Sequence, residues 1–221
     1  FVNTYRVDPK KCFTVPNGIR FRDIDRDRKI LSQFDIKKDQ LVIIGTGRAH
    51  KIKGIEFALD CLAKIRETYP DLDFVYLYCG DGPHLEIFKS RASFLGMSKI
   101  VRFPGRIENI QSVCRASDIA FHPSKGEVGY SLSMLECMMA RLPILVPDNP
   151  SVCDIITHTV NGLIYEDDNV NSASADLSRL LFDSKLRRRL GERANKDVYE
   201  TFNLEYTHKI LLNAFENCIE K

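Results

Sequence analysis

The 221-residue chain has no window approaching the roughly 18 to 20 consecutive apolar residues that a membrane helix needs, and its N-terminus carries no signal-peptide pattern. A helical membrane anchor is therefore not expected. A charge of one sign is missing too: 32 Lys and Arg face 30 Asp and Glu, leaving a formal +2. That balance gives no reason to expect nucleic acid or another polyanion as partner. The seven cysteines form no Cys-x-x-Cys pair, which removes the usual zinc spacing, and Cys61, Cys79, Cys114 and Cys137 sit inside apolar segments. They read as reduced core residues of a cytosolic protein. Internal repeats and low-complexity linkers are also absent. What remains is 44% hydrophobic and 28% charged, the composition of an ordinary globule with one large core.

Short apolar runs alternate with segments of helical spacing. LVIIG leads to a helix over 55–68, FVYLYCG to one over 83–95, IVRFPG to one over 107–116, and DIAFHPS to one over 130–141. PILVP precedes a short turn near 152–157, NGLIY supplies a further strand, and three helices follow near 170–182, 184–200 and 203–219. This order predicts an α/β fold, a Rossmann-like doubly wound parallel sheet with extra C-terminal helices.

Two glycine-marked strand exits carry the chemistry. The first, IIGTGRAHKIKG over 43–54, sets Arg48 and Lys53 around a short loop after Gly47, with Gly54 opening a helix. Two cations beside a helix N-terminus suit a diphosphate, because backbone amides and the macrodipole add to the side-chain charge. A solvated basic loop remains open on these residues alone. The GxGxxG fingerprint fails, since Gly45 and Gly47 are followed by His50 at the third glycine position, and no Gly-Lys-Ser/Thr triplet makes a P-loop. The second exit, GEVGYSLSMLE over 126–136, opens a helix whose Leu132, Leu135 and Met138 share an apolar face. Glu136 lies one position off that face, on the side that Gly129 opens, where a carboxylate can accept two ribose hydroxyls. The alternative is an ordinary surface glutamate.

Taken together, the Gly-Arg…Lys-Gly turn, GDGP, VRFPG, the second glycine turn ending in Leu-Glu and NGLIY resemble, in order, the C-terminal half of a family 4 retaining glycosyltransferase of GT-B fold. The resemblance runs from about Val15 to the end of the chain. It implies that Arg48 and Lys53 hold the donor diphosphate, Glu136 holds the ribose, and the turn Gly129, Tyr130, Ser131 and Leu132 meets the distal phosphate. It further implies that the backbone at Arg106 and Ile107 reads the base. One departure stands out: the family's first glutamate falls on Val128, so Glu127 is the candidate to contact the donor sugar if the loop bulges. The family's second glycine is replaced by Ser131.

Residues 1–20, containing VPNGI, resemble the exit from a preceding acceptor domain, and 21–221 the nucleotide-sugar domain. The resemblance therefore implies a fragment that binds a UDP-sugar or GDP-sugar but transfers little or no sugar alone, with a glycan or lipid-linked acceptor met through the other half. Charge growing on the leaving β-phosphate would be met by Arg48, Lys53 and helix-start amides, each such donor worth on the order of 3 kcal/mol, with no cofactor or metal. The rival readings are a sugar-nucleotide epimerase or hydrolase of the same fold, and a non-catalytic binding domain.

Other residues have weaker claims. Asp71-Leu72-Asp73 has the form of a divalent-cation motif, but it precedes a strand and so falls at the edge opposite the nucleotide turns. It reads as a solvated turn. His122 leaves a strand on the nucleotide edge, as a donor contact or a structural histidine. Asp81 in GDGP reads as a cap, with Pro83 at the first helical position. Arg187 to Arg189 and the group Arg20, Arg22, Arg26 and Arg28 offer either a peripheral contact with anionic lipid at the inner membrane face or a solvated surface.

Overall fold

The computed structural model describes residues 8–9, 12–20, 22–126, 131–150 and 155–219. Six parallel strands form one sheet: β1 (Leu41–Thr46), β2 (Phe74–Cys79), β3 (Val101–Gly105), β4 (Ile119–Phe121), β5 (Ile144–Pro147) and β6 (Leu163–Tyr165). Their order is β3-β2-β1-β4-β5-β6. The chain thus winds outward from β1 to β3, returns to the other side of β1 with β4, and winds outward again. The direction reverses between β1 and β4, the point of such a sheet at whose carboxyl edge ligands generally bind.

Alternation along β1 sets the two cores. Val42 and Ile44 face one side with Val75 and Leu77, while Ile43 faces the other with Tyr76. Both sides are covered by helices, so strands with no polar side read as continuous apolar runs. These helices are α1 (Ile55–Thr68), α2 (Leu85–Phe94), α3 (Ile110–Ala116), α4 (Leu132–Met139), α5 (Val170–Phe182), α6 (Ser184–Thr201) and α7 (Leu204–Ile219). The expected alternation of strands and helices is therefore present, and Asn169 and Asp183 cap α5 and α6 with their side chains. Among the described residues, no helix is long and apolar enough to cross a membrane.

Three local expectations need correction. Leu132 does not share the buried face of α4: it is 51% exposed, whereas Met134, Leu135, Cys137 and Met138 are buried. Leu132, the first residue of α4, projects beyond the core, which begins two residues later at Met134. Pro83 is not the first residue of α2, which starts at Leu85 with His84 at its cap. Asp81 accordingly does not cap that helix; its Oδ1 accepts from the amide of Gly82 inside the turn. A 3-10 helix at Arg28–Phe34, capped by Asp27, was not anticipated, because its seven residues are too few to show helical periodicity.

Candidate functional site

The carboxyl ends of β1 and β2 are tied together by their exit loops. Gly47 N donates to Cys79 O at 3.2 Å, Ala49 N to Asp81 O at 2.9 Å, and His84 N to Ala49 O at 3.0 Å. Tyr78 Oη adds a bond to Gly47 O at 3.0 Å. This close approach requires a residue without a side chain at Gly80, where a Cβ would lie 1.7 Å from Gly47 O.

Beyond Ala49, a single 3-10 turn at Lys51–Lys53 carries Lys53 back toward the sheet, and Gly54 starts α1 at φ 65°. Its φ and the Pro123 carbonyl, 2.0 Å from where a Cβ would stand, both demand glycine. The loop after β4 locks onto the same turn: Lys125 N and Ser124 Oγ both donate to Ile52 O, at 2.8 and 3.2 Å. Lys53 is thereby half-buried, with Nζ 3.6 Å from the Cβ position of Gly47. Burial lowers its pKa. A charge held out of water in this way acts on any nearby group more strongly than a solvated lysine.

A cavity of about 540 Å³ opens beside these loops. Its wall brings together the predicted Gly47, Arg48, Arg106, Ile107 and Glu136, from the ends of β1 and β3 and from α4. Arg48 and Arg106 are exposed, so their guanidinium groups are free to close on an anion. Glu136 is partly buried; desolvation raises its pKa, and a hydrogen bond with Gln111 pulls in the other direction. A carboxylate short of water gains more from accepting hydroxyl hydrogen bonds than a surface glutamate does.

The other predicted residues are not part of this wall. Ser131 precedes α4, and its hydroxyl pairs with that of Ser133 at 2.9 Å. Leu132 is exposed on the first turn. His122 is buried behind the loops, its amide donating to Leu145 O at 2.9 Å. Burial, with the Lys53 charge as a second cause, pushes its pKa down to about 3, so it is neutral at physiological pH. Glu127, Gly129 and Tyr130, and Val128 with them, lie outside the described residues.

The wall also includes Thr46, Gly80, Asp81, Gly82, Ile110 and Ser133, none of them among the expected site residues. A signal for half of these existed: Gly80 and Gly82 flank Asp81 directly after an apolar strand, a third glycine-marked exit at the same sheet edge. Asp71 and Asp73 stand before β2, at the opposite edge, where Asp73 Oδ1 accepts from Gln40 Nε2 at 2.5 Å.

Fold and cavity together define a Rossmann-like α/β domain with a cavity at the carboxyl edge of its sheet. Residues 26–197 match the family described as glycosyl transferases group 1, and the chain belongs to that family. It is 26% identical over 184 residues to N-acetyl-alpha-D-glucosaminyl L-malate synthase of Bacillus anthracis, covering 83% of this chain and 46% of that protein. Among solved structures it is similar to a TarM variant of S. aureus in complex with Fondaparinux, alpha-GlcNAc-glycerol and UDP. That match has a TM-score of 0.84 at 18% identity and covers 97% of this chain and 41% of that one. It is also similar to the C-terminal domain of the glycosyl transferase group 1 protein LpcC of Francisella tularensis, with a TM-score of 0.70 at 22% identity. Here the coverage is 85% of this chain and 100% of that one. The chain spans about half the length of the curated relatives it matches, and its fold fits the C-terminal domain of a GT-B enzyme.

Proposed function

We propose that this chain is the donor half of a retaining glycosyltransferase, binding a nucleoside diphosphate sugar in the cavity at the carboxyl edge of the sheet. The observation that carries this reading is the convergence of Arg48, Arg106 and Glu136 on one wall, with Lys53 beside Gly47. Arg48 and Lys53 take the diphosphate, Glu136 accepts the two ribose hydroxyls, and the backbone at Arg106 and Ile107 reads the base. The UDP held by the similar TarM structure supports a nucleotide in such a domain.

In the whole enzyme, as the anomeric carbon leaves the diphosphate, negative charge on the β-phosphate is met by Arg48 and Lys53 rather than by a metal ion. Lys53 is held on a glycine-locked turn, so little reorganisation accompanies the charge transfer there, while Arg48 closes onto the phosphate from solvent. The sugar passes to an acceptor bound by the half of the enzyme that these residues do not form, and this chain alone transfers little or none. Robust turnover by the isolated chain would overturn that last statement.

Calorimetric titration with UDP, GDP and ADP, in chelator, tests the reading. One nucleotide should bind, and Arg48→Ala and Glu136→Ala should each weaken it by on the order of 2 kcal/mol, as expected for hydrogen bonds to charged groups. Binding insensitive to both substitutions would sink the assignment. A hydrolase or epimerase would instead consume the nucleotide sugar without any acceptor, which product analysis detects.

A further inference from the structure

The opposite edge of the sheet holds a second cavity, of about 550 Å³. It lies below the amino ends of β4 and β5, about 20 Å from the donor crevice at the 3.3 Å rise of a six-residue strand. Its wall is crowded with one sign of charge. Arg26 comes from the segment before the first 3-10 helix, Arg115 from α3, Arg141 from the turn after α4, and Lys185, Arg187 and Arg188 from the first turns of α6. Asp118 and Glu192 are the acidic residues on that wall.

The partners of these side chains orient them and neutralise them only in part. Arg115 Nε donates to Ile24 O at 3.0 Å, and Arg187 donates to the carbonyls of Leu180 and Leu181 at 2.6 and 2.9 Å. Asp118 is shared between Arg26 and Arg28, at 2.5 and 2.9 Å. Among the described residues, Arg141 meets the exposed Asp23, at 3.5 Å, and Arg188 the exposed Glu192, at 3.4 Å. After burial itself, the neighbouring charges of Arg141 and Arg26 are what lower the pKa of Arg115. Asp23 and Asp25 offset that repulsion only in part.

The geometry is also held at a cost. Arg141 has φ 61°, a left-handed conformation that a residue with a Cβ adopts at a penalty of order 1 kcal/mol or more. Its carbonyl packs so closely on α6 that a Cβ at Gly191 would stand 2.1 Å from it. The helix bearing three of the cations is thus fixed against the turn bearing a fourth.

We propose that this cavity binds a small soluble anion carrying two or more phosphate groups, at a site separate from the donor crevice. The excess of guanidinium groups, aimed from four segments into one concavity, matches several phosphate oxygens rather than a single carboxylate. Concavity distinguishes it from a surface that lies flat against a lipid headgroup layer.

The test uses pyrophosphate as probe, titrated calorimetrically into the Arg48→Ala, Lys53→Ala chain, whose donor site is silenced. Pyrophosphate should bind more tightly than inorganic phosphate. Adding Arg141→Asn and Lys185→Ala should weaken it about tenfold or more, asparagine being chosen because it tolerates the left-handed conformation. Arg189→Ala, on the same helix but bonded to Thr159 O, should leave binding intact. Thermal unfolding of each variant checks that it folds. Equal loss in Arg189→Ala would show diffuse attraction and overturn the site, as would absence of pyrophosphate binding. Association with phosphatidylcholine vesicles containing phosphatidylglycerol, without pyrophosphate binding, would overturn it in favour of a lipid surface.

Discussion

The two edges of this sheet solve the placement of charge in opposite ways. At the carboxyl edge, cations ride on loops fixed by main-chain bonds between Gly47, Ala49, Cys79 and Asp81, and the glycines do the positioning. At the amino edge, the loops are held by the cations themselves: Asp118 ties Arg26, Arg28 and the amide of Val42 at one point. The first edge leaves Arg48 exposed to a ligand. The second uses some of its arginines as structure and presents only what is left.

The sharpest way to break that contrast is at Gly80. A Cβ there collides with backbone rather than with a flexible side chain, so Gly80→Ala should destabilise the chain by about 3 to 5 kcal/mol in denaturant titration. If stability held while the nucleotide site was lost, the loops would be adjustable and the glycine lock would not be structural. At the amino edge the corresponding change is Asp118→Ala, which strands two guanidinium groups and the Val42 amide. A loss of about 3 kcal/mol is expected there, with little change at the donor crevice.

How much was legible follows from the same contrast. Arg48, Lys53 and Gly54 fall within one stretch of twelve residues, and Glu136 within another, so spacing alone could group them. The strands were legible because a parallel sheet covered on both faces writes itself as apolar runs. The amino-edge cavity was not, since Arg26, Arg115, Arg141 and Lys185 meet only through the fold. The arginine run 187–189 shows the limit: Arg187 and Arg188 face the cavity while Arg189 turns to Thr159. Helical rotation of about 100° per residue separates neighbours that sequence presents as a unit. The exposure of Leu132 was missed for a related reason, since a helical face says which residues align but not where the core ends.

A third test reads the loop behind the donor crevice through pH. The His122 imidazole titrates near 3 in the folded chain and near 6.5 in the unfolded one, so only the unfolded chain takes the proton between those values. Its contribution to stability is complete above pH 6.5 and is lost as pH falls. Acidification from 6.5 to 5 should cost about 2 kcal/mol, at roughly 1.4 kcal/mol per pH unit. His122→Asn should flatten that part of the profile, measured by denaturant midpoints across the range. No flattening would place the acid sensitivity elsewhere in the chain.

The smallest effect separates stability from function at Glu136. Desolvation holds its pKa above the ordinary glutamate value, so the folded state pays a penalty for the ionised form above the unfolded pKa, and none below it. Glu136→Gln removes that penalty while keeping the shape and a hydrogen-bonding partner for Gln111. Because the side chain is only partly buried, solvent screening reduces the gain to a rise of about 1 to 2 °C in Tm at neutral pH, vanishing toward pH 4. Nucleotide affinity should fall in the same variant, since an amide accepts ribose hydroxyls more weakly than a carboxylate does. A chain made both more stable and less able to bind would mark Glu136 as a residue kept for its ligand; a drop in Tm would instead make it part of the scaffold around α4.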